Sequence, residues 1–223
     1  MATSTVEDYL KCIYLEERGA GPGGLVSTGQ IATVLAVAPG TATAMVKTLA
    51  ESGLVAYEPY AGVRLTAAGQ RLATRVVRRH RLVELFLVKV MGINWSEVHS
   101  DAEILEHAVS DRLLERMDEM LGRPSSDPHG DPIPSSEGEL VEQVLWDALS
   151  CPLNVGVRLA RVTDQRSEFL RLLEQHGLMP GRTLRVKARD QVAETVALRA
   201  ESGRGLTLGF QAASRLWVEP VKG

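Results

Sequence analysis

The spacing of apolar residues changes character partway along this 223-residue chain, and no single layer of structure accommodates both patterns. Across "AAGQRLATRVVRRHRLVELFLVKVMG" and "SDAEILEHAVSDRLLERMDEMLG" they recur at helical spacing. Leu72, Val76, Val83 and Leu87 form one stripe, and Leu105, Val109, Leu113, Met117 and Leu121 another. From about residue 150 they alternate instead, in "VGVRLARVTD", "GRTLRVKARD", "TVALRA", "GLTLGF" and "RLWVEPV", with one helical run, "SEFLRLLEQHG", among them. Alternation turns every second side chain to one face of a sheet, and short strands this close together predict a small barrel. Between the two patterns, "RPSSDPHGDPIPSSEGE" is rich in Pro, Ser and Gly and reads as a loop and linker. The chain is therefore expected to be α+β and mainly helical.

The N-terminal part adds a third pattern. "STVEDYLKCIYLEERG" reads as a helix, with Ser4 and Glu7 in capping-box spacing and a stop at Gly19. After the loop "GAGPGG", "STGQIATVLAVAPGTATAMVKTLAESGLV" gives a helix, a break at Val37–Pro39 and a second helix ending at Gly53. Pro39 suits a first helical turn, where its missing N–H costs nothing. "LVAYEPYAGVRLT" follows as two short strands around a turn at Ala61–Gly62. Together these make a helix-turn-helix with a candidate wing. Many helical hairpins share this spacing and bind nothing, so the pattern leaves DNA binding and a plain hairpin both open.

If the motif does read DNA, Thr41, Thr43, Lys47 and Thr48 are the exposed positions near the start of its second helix. Threonine offers a hydroxyl to a base edge and a methyl to thymine, and lysine suits phosphate. Tyr60 and Arg64 on the wing, and Thr28 capping the first helix of the motif, are candidate backbone contacts. Thr41 and Thr43 also fit ordinary N-terminal helix chemistry, and Tyr60 fits simple packing of the hairpin.

Net charge is −3, but it is unevenly spread. Residues 1–90 carry 10 Lys/Arg against 7 Asp/Glu, residues 91–150 carry 3 against 14, and residues 151–223 carry 12 against 7. An acidic middle between basic ends suggests separate tasks, and a low overall charge does not exclude nucleic acid. Cys12 and Cys151 are far apart and in no CxxC pair, which excludes a disulfide scaffold or zinc ribbon. "MATSTVEDYL" lacks the pattern of a signal peptide, and no apolar run is long enough to span a bilayer. A cytoplasmic protein without a membrane partner is expected.

The acidic middle also holds the histidines. In "HSDAEILEHAVS", Glu103, Glu106 and His107 fall at i, i+3 and i+4. In the preceding "RRHRLVELF", His80 and Glu84 fall at i and i+4. Packing these helices together would gather His80, Glu84, His99, Glu103, Glu106 and His107. Imidazole and carboxylate without thiolate favour Mn(II), Fe(II) or Zn(II) over a structural cysteine site. The other reading is a charged helix face, with Ser100 and Glu103 as a capping box and Glu106 solvated. No Walker loop or nucleophile–base pair is present, and the Gly-rich run from Gly19 to Gly24, without a following Lys-Ser/Thr, reads as a loop. A hydrolase or metal-storage protein built on the same set would need an open coordination position, so no enzyme and no small organic substrate are expected.

With these residues in place, the chain resembles the DtxR/MntR family of metal-dependent transcriptional repressors over nearly its whole length. The resemblance is carried by "EDYLKCIY", "GVRLTAAGQRLA", "RRHRLVELFL", "VHSDAEILEHAVSDRL" and "GDPIP". It implies a winged helix-turn-helix DNA-binding domain (1–72), a helical dimerisation and metal-binding domain (73–140) and an SH3-like, FeoA-like β-barrel (150–223). It also implies a homodimer on double-stranded, palindromic operators, activated by metal. Carried over by residue, the regulatory site comprises Asp8, Glu103, Glu106 and His107, and the ancillary site His80, Glu84 and His99. Gln165 and Glu168 are further candidates from the third domain. The family's iron branch has methionine where this chain has Asp8, and cysteine where it has Glu103. Hard oxygens at both positions point to Mn(II) ahead of Fe(II), with Zn(II) or Co(II) able to substitute in vitro. The manganese branch, however, has a second carboxylate at the position of Lys11, which argues against a binuclear centre here.

Overall fold

The computed structural model describes residues 3–21, 24–141, 144–201 and 203–221, and the loop "GAGPGG" lies partly outside them. The chain divides into two units, Met1–His80 with Pro134–Leu140, and Arg81–Ile133 with Val141–Gly223.

The first unit opens with α1 (Ser4–Ala20). Its N-cap is Thr3, whose hydroxyl accepts from Val6 N–H, and not the Ser4 that the capping-box spacing suggested. Gly19 is inside the helix, and Gly21, with φ 83°, ends it. Tyr9, Leu10, Ile13 and Tyr14 are buried and pack with residues of α2 (Thr28–Val34) and α3 (Pro39–Glu51). α2 is capped by Ser27, which accepts from Gln30 N–H, so Thr28 is its first helical residue and not its cap. Pro39 opens α3, and the two helix axes turn through 113°, as in a helix-turn-helix. The wing is β1 (Val55–Glu58) against β2 (Gly62–Leu65), antiparallel. Its turn lies at Pro59–Ala61 rather than Ala61–Gly62, with Tyr60 at φ 66°. Gly62 starts β2 because a Cβ there would stand 2.8 Å from the Val26 carbonyl, which this strand needs for pairing with Val26.

α4 (Ala67–Lys89) runs from the first unit into the second. Residues 134–140 return to the first unit: Arg78 donates to the Pro134 carbonyl at 2.8 Å, and Leu140 packs on the winged-helix core.

In the second unit, the expected single helix over residues 99–121 is two. α5 (Val98–Leu105) ends at Glu106, and α6 (Asp111–Met120) begins after Ser110, whose hydroxyl accepts from Leu113 N–H. A serine at the cap position, placed after Val109, competes with helix continuation and wins. Ser100 caps nothing, because α5 starts earlier, at Glu97. The break also splits the expected apolar stripe. Leu105 and Leu113 are exposed, as are Ile104, Ala108 and Met120, while Val83, Leu87, Val98 and Ala102 are buried together.

The remaining strands are those the alternation predicts. β4 (Gly156–Val162), β5 (Thr183–Asp190), β6 (Thr195–Ala200), β7 (Gly205–Gly209) and β8 (Leu216–Pro220) join a two-residue β3 (Trp146–Asp147) in one antiparallel sheet, ordered β3-β8-β4-β5-β6-β7. α7 (Ser167–Gln175) buries Phe169, Leu170 and Leu173 against the inward-facing strand residues, and α8 (Phe210–Ala213) is a single turn. Among the described residues no single helix is long and apolar enough to cross a membrane.

The segment read as a linker includes a strap whose middle is buried. Asp127 and His129 are almost wholly buried, and the His129 carbonyl accepts from Val162 N–H of β4 at 2.9 Å. Gly130 holds φ 88°, and a Cβ there would lie 1.9 Å from the Ala160 carbonyl, so only glycine lets the strap lie on β4.

Candidate metal centre and nucleic-acid interface

Glu84 is the hub of the charged groups in the second unit. Its side chain is 1% exposed, and its two oxygens serve different histidines. Oε1 lies 3.0 Å from His99 Nδ1, and Oε2 lies 3.7 Å from His129 Nδ1. His99 in turn reaches Glu103 through Nε2 at 3.4 Å. His80 stands one helical turn before Glu84 on α4 and is itself nearly buried.

Glu84, Asp127 and His129 each offer a ligand atom within 4.8 Å of the others, and all three are buried. His129 Nε2 lies 2.8 Å from the Trp95 carbonyl, which can only accept, so the proton sits on Nε2. In the neutral ring Nδ1 therefore carries the lone pair, buried and 3.7 Å from Glu84 Oε2. The Trp95 ring stacks beside the imidazole, with centroids 5.6 Å apart and planes at 30°. Asp127 Oδ1 accepts from the backbone N–H of His129 and Asp131, and Arg81 stands 3.8 Å from its other oxygen. Burial, with Asp131 and Glu84 adding repulsion, pushes the Asp127 carboxyl up to about 7. Burial disfavours the charged form of His129, but the Glu84 and Asp127 carboxylates outweigh it and hold the imidazole above its ordinary value. Two carboxylates and an aimed imidazole lone pair, with no thiolate, fit a hard or borderline divalent cation.

Glu106 and His107 form a second set. Glu106 is fully buried at the end of α5, and His107 Nε2 lies 3.5 Å from its Oε1. Because the helix has ended, these consecutive side chains face one another, which helical geometry forbids for i and i+1. Glu103 stands a turn earlier on α5 and is partly exposed. Asp8, on α1, is half-buried in the first unit, and Lys11, three residues on, is only 8% exposed. Gln165 donates to Asp131 at 2.8 Å, and Glu168 is exposed in the first turn of α7.

Sequence reasoning missed Asp127 and His129, because they lie in the Pro/Gly-rich stretch read as linker. The signal was present in "DPHGD", where acid and imidazole alternate between turn-forming residues.

In the first unit, Thr41, Lys47 and Thr48 are exposed on α3, and Thr43 is partly exposed. The hydroxyls of Thr43 and Thr48 donate back to the carbonyls of Pro39 and Ala44, so they present acceptors outward. Tyr60 is fully exposed at the wing tip. Arg64 faces Glu58 at 3.8 Å, both more than half exposed, a pairing too solvated to hold it from another anion. Thr28 is partly exposed at the start of α2.

Comparison with known proteins completes the description. Residues 1–63 match the family described as the iron-dependent repressor N-terminal DNA-binding domain. Residues 66–135 match the iron-dependent repressor metal-binding and dimerisation domain, and residues 150–220 the FeoA domain. The chain is 37% identical over 231 residues to the iron-dependent repressor IdeR of Mycobacterium leprae (strain TN), covering 97% of each. It is 36% identical over 123 residues to the HTH-type transcriptional regulator MntR of Shouchella clausii (strain KSM-K16), covering 54% of this chain and 82% of that one. A solved manganese-dependent transcriptional repressor in complex with manganese superposes with a TM-score of 0.87 at 40% identity, covering 97% of this chain and 100% of that one. ScaR with bound Cd2+ superposes with a TM-score of 0.80 at 34% identity, covering 97% and 99%.

Proposed function

The chain belongs to the DtxR/MntR family of metal-dependent, DNA-binding transcriptional repressors, and from that premise we propose that its effector is Mn(II), acting on a homodimer that binds palindromic operators. The donor chemistry carries this reading. Asp8 and Glu103 put carboxylate oxygens where the iron branch has thioether and thiolate, and hard oxygen donors suit Mn(II). The similarity to a repressor solved with manganese supports it.

Asp8, Glu103, Glu106 and His107 are proposed as the regulatory ligands. Bound metal supplies the positive charge that lets these carboxylates converge. Asp8 belongs to the first unit and the other three to the second. Shared coordination would restrict how the winged helix sits relative to the dimer axis, and so favour the spacing of two half-sites. Lys11, nearly buried a turn from Asp8, offers no carboxylate to a second cation, so one ion per regulatory site is expected.

The ancillary role falls to His80, Glu84 and His99, as the resemblance implies, and to Glu84, Asp127 and His129, as the buried lone pair of His129 indicates. Exposed Ile104, Leu105, Leu113 and Met120 supply apolar surface for dimerisation. Thr41, Thr43, Lys47, Tyr60, Arg64 and Thr28 are the proposed DNA contacts, with phosphate and shape outweighing direct base readout.

Operator binding against titrated Mn(II), Fe(II) and Zn(II) tests the proposal. Mn(II) is expected to give the strongest activation at the free concentrations each metal reaches in a cell. Equal DNA affinity with and without metal overturns the repressor mechanism, and stronger activation by Fe(II) than by Mn(II) replaces the manganese reading with an iron one. Because the ligands bind metal deprotonated, activation should weaken as pH falls through the histidine range.

A further inference from the structure

One row on the outer face of the C-terminal sheet serves neither metal nor the winged helix. Arg185 of β5 stands directly opposite Arg199 of β6, and both are exposed. Their neighbours across the sheet are glycines, Gly156 of β4 opposite Arg185 and Gly205 of β7 opposite Arg199. Like charges directly opposite destabilise an antiparallel pair, and glycine weakens a strand interior, so sheet stability does not account for this row. Backbone conformation does not account for it either. Neither glycine takes a positive φ, and an added Cβ would meet nothing nearer than 3.7 Å at Gly156 or 3.8 Å at Gly205. What the glycines do is let each guanidinium lie low on the sheet, with Arg185 against Gly156 and open backbone at Gly205, as expected where a ligand approaches a sheet closely.

Lys187, exposed beside the β5 bulge, joins Arg185 and Arg199 around a shallow cavity of about 260 Å³, with Ala200 and Glu201 completing its wall. Arg185 donates to the Asn154 carbonyl at 2.9 Å, which fixes its fork. Among the described residues no carboxylate lies within 4.0 Å of Arg185, Lys187 or Arg199, Glu201 included, whereas Arg158 on the neighbouring strand is ion-paired with Glu219. Guanidinium forks on a flat floor suit phosphate oxygens. A protein partner would call for an apolar or aromatic anchor at the centre, and this row has none.

We propose that Arg185, Lys187 and Arg199 form a second, sequence-independent DNA contact, through which the C-terminal domain holds the phosphate backbone of duplex flanking the operator. The inference rests on the DNA-binding reading above and extends it to a domain with no helix-turn-helix. Tethered to a chain already on its operator, the row meets phosphate at high effective concentration, so three contacts suffice.

The test uses the full chain with saturating Mn(II) and two duplexes, one limited to the palindrome and one extended on both sides by unrelated sequence. The variant R185Q/K187Q/R199Q should keep its melting temperature, its Mn(II) dependence and its choice of palindrome. On the extended duplex, the slope of log affinity against log salt should be shallower by about 2 to 3 than for the native chain. Unchanged slope and affinity on both duplexes overturns the proposal. So does a variant defective only in binding a polyglutamate peptide, which identifies an acidic protein as the partner. If the native chain shows no metal response, yet the variant still flattens the slope on unrelated duplex, the repressor reading fails and this contact stands.

Discussion

The two proposed sets of metal ligands differ in how complete each is within its own unit. Glu84, Asp127 and His129 are buried together in the second unit, held by Arg81, by the Trp95 carbonyl and by backbone N–H groups of the strap. Glu106 and His107 face one another in the same unit, but the proposed partner, Asp8, is in the first. A site finished within one unit can stabilise that unit; a site that draws on two can report to both. The first therefore suits a structural role and the second a regulatory one.

The largest expected effect tests the regulatory side of this contrast. Glu106→Ala or His107→Ala should lower Mn(II)-dependent operator affinity on the order of 100-fold, read by fluorescence anisotropy, with metal-free affinity unchanged. If Asp127→Ala produces the same loss, the division of labour is wrong.

The structural side is tested by pH. Asp127 has its folded value near 7, against an ordinary 3.8, so across that window the folded chain keeps a proton that the unfolded chain has released. Stability of the metal-free protein therefore falls as pH rises from about 4 to 7. His129, also raised, acts in the same direction, since its contribution is full in acid and lost as pH climbs through its folded value. Thermal melts in chelator should thus show a higher melting temperature at pH 5 than at pH 7.5. Asp127→Asn should flatten that slope and reduce the stabilisation gained from Mn(II). A variant as pH-sensitive as the native chain would remove Asp127 from the account.

Metal choice gives a smaller effect. Asp8→Met with Glu103→Cys should shift preference from Mn(II) toward later, softer metals by roughly 10-fold in the ratio of activating concentrations. An unchanged ratio would count against both assignments. Smallest is Trp95→Phe, which keeps the backbone carbonyl and most of the stacking surface on His129. Its effect on Mn(II) affinity at the buried cluster should stay below the roughly 10-fold typical of lost supporting groups. A larger loss would mean that the indole, rather than the carbonyl, positions the imidazole.

Much of the fold was legible because periodicity reports burial. The β4 to β8 strands alternate apolar and polar residues, and their buried positions are the apolar ones. The helix-turn-helix was legible through Pro39 and the apolar spacing of Ile31, Val46 and Leu49. Caps were misplaced by one residue, since Thr3 and Ser27 sit beside equally suitable Ser4 and Thr28. The break between α5 and α6 was hidden by an apolar stripe that continues through it, because exposed apolar residues there are of the same types as those of a core. Asp127 and His129 were hidden for another reason. Proline and glycine mark turns but say nothing of burial, and this strap is buried by long-range contact with β4, which no local window contains.

The helix break at Glu106 also bears on time. Glu106 and His107 sit on the five-residue bend 106–110 between two helices, and not within either helix. On the proposed assignments, a cation held there would be released by local motion of the bend, whereas one enclosed by Glu84, Asp127 and His129 would be released by the strap lifting from β4. A repressor built this way would lose the record of metal at one site sooner than at the other.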